Sequence, residues 1–284
     1  MSFFSAALHT VLFLFFCIPF AGAQNSSSQS AAKKYSLFHP VHRDKMKKMS
    51  TDRPDVTESA YTAEAGHFQV EADLFKHVRN KTENLLNTQN IYNLANFKIG
   101  LTENTDIQLV FPTYVNTATH DLNTNKIINK TGGFDDITLR LKYNFWGNSG
   151  GKTAFAVLPY ISFPTSSFSK NGVQGGILFP FAAEIKEGLS FGTQAAVDIV
   201  KEENDHYSAD LIYSFTLGKT IFKNADLFAE TYTTYSPYNK KADIFLNSGI
   251  IYSVTKNLNI DAGFNYGLKK DSDRIFFTGF SWRY

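Results

Sequence analysis

The chain has a single cysteine, Cys17, and it lies inside an N-terminal apolar run. With that run removed no cysteine is left, which excludes disulfides, thiolate metal sites and a cysteine nucleophile. Long hydrophobic stretches are also missing: beyond residue 23 none approaches the ~18 apolar residues of a membrane helix. Net charge is small, +2 over 284 residues, so nothing marks a nucleic-acid binder. No phosphate-cradling glycine loop or nucleotide fingerprint occurs. The histidines His39, His42, His67, His77 and His120 show no metal-ligand spacing. No cofactor is expected.

Aromatic residues are abundant, 15% of the chain with 27 Phe and 14 Tyr, yet the mean hydropathy is slightly negative. Strands with one greasy face and one wet face produce that combination. The N-terminus divides off first. Val11-Leu-Phe-Leu-Phe-Phe-Cys-Ile-Pro-Phe20, followed by Ala21-Gly22-Ala23, reads as a secretory signal over residues 1–23. Residues 24–65 begin with a flexible polar lead and, as far as Arg53, carry Lys33, Lys34, Arg43, Lys45, Lys47, Lys48 and Arg53 against Asp44 and Asp52. Two readings stay open for this segment: a solvated basic periplasmic tail, or a plug that folds up into a lumen or docks on anionic lipid or cell wall.

From residue 66 a period of two sets in, and 66–284 reads as one β domain. Phe68, Val70, Ala72 and Leu74 alternate with Gln69, Glu71 and Asp73 in the first strand. The clearest strand sets Ile137, Leu139, Leu141, Tyr143 and Phe145 against Asp136, Thr138, Arg140, Lys142 and Asn144. In the last, Phe276, Thr278, Phe280, Trp282 and Tyr284 share a face. Further strands are expected near 91–101, 107–111, 153–163, 177–185, 189–199, 207–217, 227–235, 244–252 and 258–266. Polar stretches, above all 115–133, are expected as loops. Pro159 predicts a bulge or a weak ladder point in its strand.

About twelve strands, an even number, suit a closed antiparallel up-and-down transmembrane β-barrel in which the first strand pairs with the last. Connections after even strands are short and several after odd strands longer, which places both chain termini in the periplasm. Trp146 and Trp282 then fall in a periplasmic aromatic girdle. A secreted β-sandwich would alternate similarly but would not need uncharged aromatic faces on nearly every strand.

The polar parity fills the lumen, with Gln69, Gln108, Glu184, Gln194, Asn259 and Arg283 among its members. Candidate lumen-lining or transport residues are Glu71, Asp73, Lys98, Asp136, Arg140, Lys142, Asp198, Asp210, Glu230 and Asp261. Both signs are present, so no strong ion selectivity is expected. The residues read equally as a paired network that holds the barrel in shape, or as a narrow polar path along Glu71, Arg140, Lys142 and Glu230.

Several runs resemble one family. Thr51-Asp-Arg-Pro-Asp-Val-Thr-Glu-Ser59 with Gly66-His-Phe-Gln-Val-Glu71 is similar to the lead-in to the first strand of the meta-pathway phenol-degradation, or transporter, family of bacterial outer-membrane β-barrels. Gly133-Phe-Asp-Asp-Ile-Thr-Leu-Arg-Leu-Lys-Tyr143 resembles a middle strand of that family, although Asp135 stands where glycine is common, and Phe228-Ala-Glu230 resembles another of its strands. The resemblance spans roughly 51–284. It implies a channel or transporter in the outer membrane, without enzymatic activity, passing small and often hydrophobic or aromatic solutes. The closing strand ending in Tyr284 resembles the segment that such barrels present to the outer-membrane assembly machinery. Two rivals remain: a lipid hydrolase using His206 and Ser208, spaced to share a strand face, and a structural or adhesive surface barrel with 116–133 as its contact loop.

Overall fold

The computed structural model describes residues 34–111, 114–166, 172–202 and 204–284; the expected signal segment lies outside them. Fourteen strands are described: β1 (Phe68–Lys81), β2 (Leu85–Thr102), β3 (Thr105–Phe111), β4 (Tyr114–Asp121), β5 (Lys126–Gly133), β6 (Ile137–Trp146), β7 (Thr153–Phe163), β8 (Gln174–Lys186), β9 (Leu189–Lys201), β10 (Tyr207–Phe222), β11 (Ala225–Ser236), β12 (Lys241–Thr255), β13 (Leu258–Gly267) and β14 (Arg274–Arg283). Each pairs antiparallel with its neighbours, and the ring closes where β1 meets both β2 and β14. The closing ladder runs from Gln69 opposite Arg283 to Arg79 opposite Arg274. The Tyr284 backbone N–H completes it by donating to the Phe68 carbonyl at 2.9 Å.

Two pairs of strands are halves of one stave. β2 pairs with β3 along its second half and with β4 along its first, while β3 pairs with β6 and β4 with β5. The closed antiparallel barrel therefore has twelve staves, as the alternation predicts.

The two faces of the wall separate sharply. On β6, Leu139, Leu141, Tyr143 and Phe145 are exposed while Lys142 and Asn144 between them have 0% exposure. On β10, Tyr213, Phe215 and Leu217 are exposed while Ser214 is fully buried. An arrangement with oily side chains outside and polar ones inside suits a wall bathed in hydrocarbon, because closure leaves no unpaired edge in the lipid. Trp146 and Trp282, both about half exposed, sit at the end of the barrel that carries Phe68 and Tyr284.

That end is joined by the short turns 103–104, 187–188, 223–224 and 256–257 and by 147–152. Among the described residues, the opposite end carries 82–84, 122–125, 164–166, 172–173, 202, 204–206, 237–240 and 268–273. The expected loop 115–133 is thus corrected: nearly all of it is the β4–β5 hairpin, turned at 122–125, with Asn125 at φ 56°. The first strand, which period two ends near His77 with a polar loop before residue 91, likewise continues to Lys81, and β2 already begins at Leu85. Both were misread for one reason: strands that rise beyond the oily belt no longer need a greasy face, so period two fades from their sequence. Almost every residue of β5 is exposed. Pro159 stands where the ladder thins: the β6–β7 register jumps from Arg140 opposite Tyr160 to Tyr143 opposite Val157.

Candidate functional site

The inward parity supplies a polar lining whose members are almost all buried. Glu71, Asp73, Lys98, Asp106, Gln108, Lys142, Gln194, Glu230, Asn247 and Asp261 are each at most 5% exposed. Their partner is the N-terminal segment. Residues 47–63 run through the lumen as extended, turning chain with no strand of their own, so their backbone N–H and C=O groups must find partners elsewhere. The wall side chains provide them.

Four clusters hold the segment. Asp52 sits between two lysines, its Oδ2 at 2.5 Å from Lys98 Nζ and its Oδ1 at 2.6 Å from Lys142 Nζ. Glu71, itself paired with Lys98, accepts the Asp52 N–H at 2.9 Å and the Arg53 N–H at 3.1 Å. The Arg53 guanidinium forks between Asp73 and Asp261, with Nη2 2.6 Å from Asp261 Oδ1. Glu230 accepts the N–H of Val56 at 2.8 Å, and the N–H and hydroxyl of Thr57 at 2.7 and 2.6 Å. Glu58 pairs with Arg140, and its N–H donates to Gln194 Oε1 at 3.0 Å.

Farther along, Asn144 Nδ2 donates to the Ala60 carbonyl at 2.8 Å, and Asp106 Oδ2 accepts the Ala63 N–H at 2.8 Å. At the turn end, Arg283 Nη2 donates to the Lys47 carbonyl at 3.0 Å. His67 bridges the Val41 and Tyr284 carbonyls at 2.7 and 2.9 Å, tying the segment to the closing strand. Buried charges are tolerated only when paired and hydrogen-bonded. Here the segment and the wall each supply half of the pairing.

Of the ten candidate residues, Glu71, Asp73, Lys98, Arg140, Lys142, Glu230 and Asp261 converge on this segment. The other three lie apart from it: Asp136 accepts the Ser166 N–H at 2.9 Å, Asp198 accepts the Tyr160 hydroxyl at 2.7 Å, and Asp210 stands opposite Asp198 in the β9–β10 ladder. Asp52, Arg53 and Glu58 were missing from the candidates, although they stand inside the Thr51–Ser59 run singled out by resemblance. Ser208 is 9% exposed and donates to Glu202 rather than to His206, whose ring is exposed.

On the loop side of the segment the lumen opens into a cavity of about 280 Å³. Its floor is Arg53, Pro54, Asp55 and Val56. Its wall mixes Leu94, Val110, Tyr232, Ile275 and Phe277 with Asn96, Asn247 and Asn265. A second space of about 280 Å³ adjoins it, sharing Leu94 and Val110 and reaching Asp136, Ser162 and Gln174.

None of the curated proteins compared matches the sequence. Among solved structures, an outer membrane channel from Pseudomonas putida F1 is similar with a TM-score of 0.61 at 8% identity, over 83% of this chain and 100% of that one. The NanC porin is similar with a TM-score of 0.50 at 10% identity, over 74% of this chain and 98% of that one. At such identities the likeness is one of fold. The model of the family described as "Putative MetA-pathway of phenol degradation" matches residues 51–284, which takes in the lumen segment from Thr51 together with the whole barrel. The chain belongs to that family of outer-membrane β-barrels.

Proposed function

We propose that the protein is an outer-membrane channel for small solutes whose lumen is narrowed by its own residues 47–63. The observation that carries this reading is the polar-lined interior, continuous with two cavities on the loop side and crossed by a segment held through side chains. A wall built only for rigidity could fill its interior with apolar residues and avoid the desolvation cost of so many buried charges. The start of β1 and the end of β14 lie on the periplasmic side in this reading, since the end with the shorter turns is the periplasmic one in such barrels. The closing strand, ending in Trp282 and Tyr284, is then the segment offered to the assembly machinery.

The solutes are small and partly apolar, because Leu94, Val110, Ile275 and Phe277 point inward against the general rule for this barrel. Catalysis is not favoured: Ser208 is inside, engaged with Glu202, while lipid is outside. Liposome swelling with neutral, aromatic and charged solutes tests the reading. Flux of small neutral and aromatic solutes supports it; lipid hydrolysis without flux, or neither, contradicts it.

A further inference from the structure

On the outside of the wall, where β13, β14 and β1 run side by side, the surface changes from oily to cationic within two residues. Phe264 stands opposite Phe276, and Phe276 opposite His77. Two residues nearer the loop side, Tyr266 stands opposite Arg274, and Arg274 opposite Arg79. Both arginines are exposed, like Phe264, Tyr266 and Phe276, and share their outward parity. Lys81, two residues beyond Arg79 on β1, follows on that face.

The height of this cluster is set by strand geometry. Arg79 lies eleven residues beyond Phe68 on β1, which is ~36 Å of strand and ~27 Å of height at a tilt of ~40°. The apolar band of such a barrel is ~25 Å tall. With Phe68 at the rim of the turn end, the arginines stand where acyl chains give way to headgroups.

Like charges directly opposite in a ladder repel. Among the described residues no carboxylate pairs with Arg79, Arg274 or Lys81. Asp273, next to Arg274 in sequence, turns to the other face, where Asn80 Nδ2 donates to its Oδ1 at 3.0 Å. The Arg274 guanidinium instead lies over the Tyr266 ring, 4.9 Å from its centroid, and its Nη2 donates to the Tyr266 hydroxyl at 3.2 Å. That contact holds it against the wall and leaves further N–H groups for an anion.

We propose that Arg79, Arg274 and Lys81 form a docking site for the phosphate groups of an acylated lipid of the outer leaflet. Phosphate supplies the missing counter-charge, since its oxygens match the fork of a guanidinium. Phe264 and Phe276, nearer the bilayer centre on the same face, take the acyl chains. A free phosphate ion would make the first contact and not the second, so the occupant is a lipid. The proposal goes beyond the channel reading and takes from it only that the loop side is the outer one.

Microscale thermophoresis of the purified full chain in neutral detergent tests it, with bisphosphorylated lipid A, monophosphorylated lipid A and phosphatidylcholine as probes. Binding should weaken in that order, phosphatidylcholine by at least ~tenfold against the bisphosphorylated lipid. Arg79→Gln combined with Arg274→Gln should weaken the bisphosphorylated lipid by at least ~tenfold, whereas Lys126→Gln combined with Lys130→Gln on β5, the same loss of charge, should change it by less than ~twofold. Equal binding of all three lipids, an equal loss in the two variants, or displacement of the lipid by millimolar inorganic phosphate overturns the proposal. The order of the three lipids on the unaltered chain decides it even if a variant fails to fold. Lipid binding in this order by a chain that passes no solute would retire the channel and keep the site; passage without this order would do the reverse.

Discussion

Glu230 on the barrel wall accepts the backbone N–H of Thr57 at 2.7 Å, a contact between residues 173 positions apart in sequence. One carboxylate on β11 thereby meets two consecutive N–H groups of the lumen segment and a hydroxyl, and also receives Asn247 Nδ2 at 2.7 Å. Four donors converge on two oxygens, which only an acceptor-only group can satisfy. Glu230→Gln keeps the shape but turns an NH₂ toward one of those donors. Loss of charged hydrogen bonds worth ~1.5–3 kcal/mol each should loosen residues 55–58, read as faster proteolysis of the segment in the folded barrel.

Asp52 stands between Lys98 and Lys142, which are 3% and 0% exposed. Asp52→Asn would leave Lys142 without the carboxylate it pairs with, and breaking a buried pair in this way costs ~3–5 kcal/mol. Urea unfolding of the reconstituted protein should show a loss of that order. A loss below ~1 kcal/mol would mean that the pairs are solvated.

The outward face obeys the opposite rule. Phe215 is 41% exposed at the middle of β10, beside the fully buried Ser214. Phe215→Arg should cost ~2–4 kcal/mol in a bilayer, the penalty for a cation near the midplane. The same substitution at exposed Ile128 on β5, beyond the belt, should cost little. Equal costs at the two positions would count against a lipid-facing wall.

Glu58 makes the segment sensitive to pH. Burial pushes its carboxyl from 4.5 up to about 7, with Arg140 pulling against the rise and Asp52 adding to it. A carboxyl raised in the docked state holds its proton there, so docking is favoured below the window and weakens as pH rises from about 4.5 to about 7. Asp52 has the opposite sign: burial would raise it, but Lys142 and Lys98 hold it well below the usual range, so its contribution is lost only in strong acid. Segment release, followed by proteolysis across that range, should increase toward neutral pH. Glu58→Gln should flatten the profile.

Much of the barrel was legible because a wall between oil and water writes period two into every stave that crosses the belt. Leu139, Leu141 and Tyr143 against Arg140 and Lys142 could be sorted with no structure at all. Residues 115–133 could not, since β4 and β5 are wet on both faces and carry no such pattern. The candidate site was half legible. Parity puts Glu71, Lys98, Lys142 and Glu230 inside, but nothing local says that Asp52 meets Lys142 or that Arg53 reaches Asp261, 208 positions away. Those contacts follow from the barrel closing around an extended segment. The signal for them was the charge order of Asp52, Arg53 and Glu58, which complements the wall only when read in three dimensions.

The central claim is that residues 47–63 narrow a conducting lumen, and single-channel conductance in planar bilayers tests it most directly. The full chain should show small steps, and a variant lacking residues 50–60 should show steps several-fold larger while keeping its β-sheet content. Equal conductance in both folded proteins, or none in either, would contradict the account.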